Sequence, residues 1–156
     1  PAPRASVPLI VGGRSDAAIG RAGRLGDGWI GIWVSPRRYA DAAARIDEIA
    51  HACGRTDHPR EHAMQVWCGI ADDRHTARDC VASQRETFYQ IPYSRFERYS
   101  PYGTPEDVAE FLVPYLDAGC RVFNLIPQSP DLATSVEGAA EVKRLLEKHV
   151  IRRRAN

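Results

Sequence analysis

Pro8-Leu-Ile-Val-Gly-Gly-Arg-Ser-Asp16 is the stretch that decides the fold. It passes from an apolar run through two glycines into the start of a helix. Such a turn is an anion site in physical terms. Glycines let a ligand approach the backbone closely, the first N–H groups of a helix lack intrahelical partners, and the helix dipole favours negative charge by about 0.3–1 kcal/mol. Gly12, Gly13, Arg14 and Ser15 are therefore the candidate phosphate-holding residues, with Arg14 and the Ser15 hydroxyl adding charge-assisted bonds to phosphate oxygens. The same spacing also serves a tight strand-to-helix turn that binds nothing, and spacing does not separate the two.

Working outward, apolar runs recur at residues 7–11, 29–34, 64–70 and 122–126. Each is nearly continuous rather than alternating, which predicts parallel strands buried on both faces. Helical patterns with start and stop signals lie between them. Ser15 caps a helix carrying Ile19, Ala22 and Leu25, and Gly26 ends it. Gly20 and Gly23 inside that helix predict close packing against a strand. Ser35-Pro36 opens a second helix with Tyr39, Ala43, Ile46 and Ile49 inward, ending at Gly54. Asp72 or Asp73 starts a third, running towards Phe88, and Thr104-Pro-Glu-Asp107 a fourth that stops at Gly119 and contains Pro114. Ser135 is the expected cap of the last helix. Strand and helix in alternation mean βαβ units with right-handed crossovers, an α/β fold. No linker or low-complexity segment interrupts the series, so residues 1–156 read as a single domain. Four such units suit either a small doubly wound sheet or half of an eight-stranded barrel.

Composition excludes several classes of function. The 44% hydrophobic and 26% charged content is that of a globular protein. A net charge of +1 gives no electrostatic footprint for nucleic acid, and the basic run Arg152-Arg-Arg154 reads as a solvated helix end. No run approaches the roughly 20 apolar residues of a membrane span. Cys53, Cys68, Cys80 and Cys120 are scattered, as in a protein of the reducing cytoplasm, where this chain is expected. His51, Cys53, His58 and His62 have the residue types of a metal site, but Gly54 and Pro59 interrupt any regular presentation, so no metal is expected.

The segments Pro8-Leu-Ile-Val-Gly-Gly-Arg-Ser-Asp-Ala-Ala18 and Arg21-Ala-Gly-Arg-Leu-Gly-Asp-Gly-Trp-Ile30 resemble the fifth-strand to sixth-strand segment of luciferase-like monooxygenases. Ser35-Pro-Arg-Arg-Tyr-Ala40 and Ala52-Cys-Gly-Arg55 resemble the helix that follows in that family. Tyr102-Gly-Thr-Pro-Glu-Asp-Val108, Leu116-Asp-Ala-Gly119 and Val122-Phe-Asn-Leu-Ile126 are similar to its last helix–strand unit. The resemblance implies a (β/α)8 TIM barrel of which these are the C-terminal four units. It further implies an oxidoreductase or monooxygenase acting on a small organic substrate. Gly12, Gly13, Arg14 and Ser15 would hold the phosphate of coenzyme F420, the favoured choice, or of FMN. A separate N-terminal half-barrel or a second copy of the chain would complete the barrel as its partner. The alternatives are a non-catalytic half-barrel that dimerises and binds a phosphate-bearing ligand, and a phosphosugar-handling barrel.

In a barrel, the helix starting at Thr104 leads into a strand and so begins at the strands' C-terminal face, where barrel enzymes build their sites. The preceding residues 88–102 hold six of the thirteen aromatic side chains. Tyr99 and Tyr102, with Gln65 and Trp67 on the third strand, are the candidate substrate pocket. Asn124 reads as a hydrogen-bonded core amide. No activated nucleophile or acid–base pair stands out, which suits a protein whose cofactor carries the chemistry.

Overall fold

A computed structural model describes residues 7–56 and 61–155. The chain divides into two compact units, one of residues 1–65 with 118–124, the other of residues 66–117 with 125–156.

In the first unit, β1 (Ile10–Gly12) pairs in parallel with β2 (Gly28–Ile32), Val11 opposite Trp29. The strand β2 pairs in parallel with the first half of β3 (Glu61–Ile70), from Gly28 opposite Glu61 to Ile32 opposite Gln65. Helix α1 (Asp16–Leu25) begins where expected: Ser15 is its extended N-cap, and its Oγ accepts from the Ala18 N–H at 3.2 Å. Helix α2 (Pro36–Ala52) has Ser35 as N-cap and Pro36 in its first turn, and Gly54 at φ 73° follows its end. Its fully buried stripe is Tyr39, Ala42, Ile46 and Ala50, so Ala43 and Ile49 stand at the margin rather than the centre. Gly23 packs on that second helix, not on a strand. A Cβ there would lie 2.6 Å from the Ile49 Cβ, while Gly20 faces only the Arg24 guanidinium. The absent Cβ lets two helix backbones approach, which offsets the roughly 1 kcal/mol that a mid-helix glycine costs. Trp29, Tyr39, Ile46, Met64 and Cys120 form the core, with the Tyr39 hydroxyl donating to the His62 carbonyl at 2.8 Å. The expectation of strands buried on both faces fails for the first run and for residues 122–126, where Val122 is exposed. Leu9 and Ile10 are 56% and 43% exposed, because β1 has β2 on one side and nothing described on the other.

In the second unit, β3 ends against a two-residue strand, β4 (Tyr102–Gly103), with Gly69 opposite Tyr102. Helix α3 (Arg74–Tyr89) is capped by Asp73, which accepts from the Thr76 N–H at 2.7 Å. Two short 3-10 turns, Tyr93–Arg95 and Glu97–Tyr99, follow. Helix α4 (Pro105–Asp117) continues through Pro114. Its start is a reciprocal cap in which Asp107 accepts from the Thr104 N–H at 2.9 Å and Thr104 Oγ1 from the Asp107 N–H at 3.4 Å. Strand β5 (Val122–Gln128), shared between the units, pairs with β3. Helix α5 (Leu132–Ala155) starts earlier than the expected Ser135 cap. Asp131 takes that role, accepting from the Thr134 N–H at 2.8 Å while its carbonyl accepts from Ser135. Ile70, Val81, Val108, Leu112, Tyr115 and Val142 are its buried core.

A candidate phosphate-binding turn

The turn after β1 is built by three side chains around one glycine. Gly13 sits at φ +121°, a conformation L side chains rarely adopt, and a Cβ there would stand 3.0 Å from the Ala18 Cβ. Its N–H donates to the Ile30 carbonyl at 3.3 Å, continuing the sheet ladder. Its carbonyl accepts from Trp29 Nε1 at 2.7 Å. Ser15 then closes the first helical turn through its hydroxyl to Ala18 and its carbonyl to Ile19. The N–H groups of Arg14, Ser15, Asp16 and Ala17 have no acceptor among the described residues. The donor set is thus one to four residues beyond Gly13, while the glycines shape the turn.

Arg14 is exposed, its guanidinium 5.5 Å from the centre of the Trp33 ring. Trp33 itself has φ +53°, an uncommon conformation for a bulky residue, and it directly follows β2. Asp16 would oppose an anion at this helix end, but its carboxylate is paired with Arg38 at 2.8 Å. The arrangement gathers amide donors, a helix dipole and an exposed cation on one turn. Such an arrangement is suited to an anion.

The candidate pocket residues separate into different surroundings. Gln65 accepts from the Asn124 side-chain amide at 3.4 Å, as a hydrogen-bonded amide pair. Trp67 lies in a ring cluster, 5.6 Å from Phe88 and 6.0 Å from Tyr89, and its buried Nε1 has no hydrogen-bond partner among the described residues. Tyr102 belongs to a charged network: its hydroxyl donates to Glu97 at 3.2 Å and Arg74 stacks 4.6 Å above its ring. Arg78 beside Glu97 holds that carboxyl below the usual range. Tyr99 carries Arg98 at 4.6 Å.

Sequence reasoning missed Arg85. It is wholly buried, stacked 4.5 Å from Phe96, 5.6 Å from Tyr89 and 5.9 Å from Trp67, and it donates to Ser100 Oγ. Burial lowers its pKa, with Tyr89 and Tyr93 opposing the shift. The signal was present: Ala77, Val81 and Arg85 repeat every four residues on the buried stripe of α3. The second unit also holds a cavity of about 510 Å³ lined by Ile70, Asp72, Pro105, Pro130, Glu137 and Glu141. Of the metal-type residues, His51 and Cys53 are exposed, His62 lies 3.4 Å from Asp47, and His58 is outside the described residues. No group of three or more potential ligands gathers among the described residues, and no helix among them is long and apolar enough to cross a membrane.

The chain has relatives among known proteins. The family model for luciferase-like monooxygenases matches residues 1–105. An uncharacterized protein of Mycobacterium tuberculosis is 28% identical over 94 residues, 60% of this chain and 32% of that protein. An F420-dependent secondary alcohol dehydrogenase, solved with an F420-acetone adduct, superposes with a TM-score of 0.78 at 19% identity, over 92% of this chain and 50% of the other. A riboflavin lyase, solved with modified FMN and riboflavin, superposes with a TM-score of 0.64 at 17% identity, over 90% and 43%. The chain therefore spans about a third of the curated relative and about half of these structures. The structural likeness shows the fold, parallel β/α units equivalent to half of such a barrel, as the sequence predicted. With two-thirds of its length matched by the family model, the chain belongs to the luciferase-like monooxygenase family.

Proposed function

We propose that this chain supplies the cofactor-phosphate end of a flavin- or F420-dependent oxidoreductase acting on a small organic substrate in the cytoplasm. The observation that carries the proposal is the turn itself. Gly13 holds a conformation reserved in practice for glycine, and four consecutive N–H groups follow it at a helix start. The residues fit a phosphate group, the diester of F420 or the monoester of FMN: Arg14 to Ala17 offer backbone donors, the Ser15 hydroxyl can donate while its oxygen caps Ala18, and the Arg14 side chain adds charge. Coenzyme F420 is the first choice and FMN the second. When bound, either supplies hydride transfer, and FMN also supplies oxygen activation. The protein's own part is to fix the phosphate and so the reach of the ring, since a ring held in position removes much of the entropic barrier.

The ring and substrate need further walls, for which we propose an N-terminal half-barrel or a second copy of the chain. The exposed Ile10 of β1 and the exposed Leu9 just before it support an added strand on that edge. Calorimetric titration of the protein with F420 and with FMN tests the reading. Micromolar binding of either, reduced at least tenfold in Gly13→Val, is expected. Equal binding of inorganic phosphate and of both cofactors would favour a simple phosphate-binding half-barrel, and no binding of any would refute the proposal.

A further inference from the structure

We infer that Trp29 is the positioning residue of the phosphate-binding turn, setting the direction of the Arg14 N–H through the Gly13 carbonyl; this rests on the function proposed above. The two ends of one peptide group carry the argument. Gly13 C=O and Arg14 N–H belong to the same planar trans unit and point in opposite directions. Trp29 Nε1 draws the carbonyl inward at 2.7 Å, so the N–H faces out, to the side where Arg14 and the helix start meet solvent. The indole is an unusually fixed anchor. It has no exposed surface. Its ring stands 5.5 Å from Tyr39 and 6.3 Å from His62. It also folds back over Gly31, where a Cβ would come within 2.7 Å of the indole Cη2. Gly31 is thus the seat that lets the ring lie flat along its own strand.

A glycine at φ +121° is free to rotate its following peptide, because no Cβ restricts it. Without the indole donor, the carbonyl has no fixed partner and the peptide samples both directions. Anion binding would then have to select the outward one, and affinity would fall by the fraction of time it is lost.

The test separates the positioning role from the site. In ¹⁵N-labelled protein, residual dipolar couplings give the direction of the Arg14 N–H, in the parent, in Trp29→Phe and in Gly31→Ala. Ile46→Val is the control for a core change that does not touch the turn. The expected result is a changed or averaged Arg14 coupling in both test variants and not in the control. Titration with inorganic phosphate and with FMN should show affinity about 5- to 10-fold weaker in Trp29→Phe, the loss of one net hydrogen bond. Replacing Trp29 by 3-benzothienylalanine, which keeps the ring outline without the N–H, should reproduce the Trp29→Phe result if that variant is poorly folded. An unchanged Arg14 direction in folded Trp29→Phe, or in the benzothienyl protein, would overturn the inference whether or not the turn binds anions. A changed direction together with phosphate and FMN leaving all four amides unmoved in the parent would uphold the role of Trp29 and refute the phosphate site.

Discussion

Valine at position 13 is the most informative single perturbation. The native residue sits at φ +121°, with only 3.0 Å between its virtual Cβ and Ala18 Cβ. A β-branched residue cannot hold that conformation, and a side chain forced into such a region costs roughly 1–3 kcal/mol. The turn escapes by rotating towards negative φ, which withdraws the Gly13 carbonyl from Trp29 Nε1 and loses about 1 kcal/mol of net hydrogen bonding. The turn takes the cheaper of the two outcomes, so the destabilisation is about 1–3 kcal/mol, most of it local. The binding effect is larger in proportion. Rotation turns the Arg14 N–H away and shifts its neighbour, and hydrogen bonds to a charged group contribute about 1.5–3 kcal/mol each, so affinity for F420 or FMN should fall roughly 100-fold or more. Urea unfolding followed by circular dichroism reads the first quantity and calorimetric titration the second. The reasoning is refuted if Gly13→Val matches the parent in both, and the functional part alone is refuted if it is destabilised yet binds equally well.

Arg14→Ala should weaken cofactor binding only about 2- to 5-fold, because its exposed guanidinium contributes ~1 kcal/mol or less while the amides remain; the same titration would show otherwise as a loss comparable to Gly13→Val. Gly69→Ala places a Cβ against the Ala77 carbonyl, backbone that cannot move cheaply, and should destabilise the protein by about 3 kcal/mol or more in urea unfolding. Asp73 and Asp131 both have pKa values lowered by helix-cap hydrogen bonds from Thr76 and Thr134. Their contribution is therefore full above the ordinary carboxyl pKa of about 4 and disappears as pH falls through the lowered values, so thermal melts of Asp73→Asn and Asp131→Asn should lose less stability than the parent between pH 5 and acid. The exposed β1 edge should be paired in solution: light scattering at micromolar concentration should give a dimer or a complex, which Leu9→Glu with Ile10→Glu disperses, and a well-folded monomeric parent would contradict the proposal.

Where a feature depended on near neighbours in sequence, it was legible. Ser15 and Ser35 cap helices because an oxygen on the residue before a helix reaches an N–H three residues on, and nothing distant decides it. Asp131 escaped for a related reason. Ser135 is a cap-type residue close by, whereas Asp131 and Thr134 satisfy each other three residues apart and begin the helix a turn sooner. Features that depend on register were hidden. The strand β4 is two residues long and exists only because Gly69 and Ile70 lie beside it. The bond from Trp29 to Gly13 needs two strands side by side, with Val11 opposite Trp29. Arg85 shows a third kind of failure: its spacing from Ala77 and Val81 places it on the inner face of α3, but its residue type gives no sign of burial. Of the candidate site, the residue types were readable and the direction of each backbone group was not.

All three tryptophans stand at places of interest: Trp29 bonded to the turn after β1, Trp33 beneath Arg14, and Trp67 among the rings around Arg85. Nature has in effect labelled the protein with its own fluorophores. An indole emits where flavins and deazaflavins absorb, so a bound cofactor would quench this emission through energy transfer. Single tryptophan-to-phenylalanine variants would then turn the quenching into a ruler. Trp33 would report on the turn proposed to hold the phosphate and Trp67 on the aromatic cluster, so the pair would trace the lie of a bound ligand.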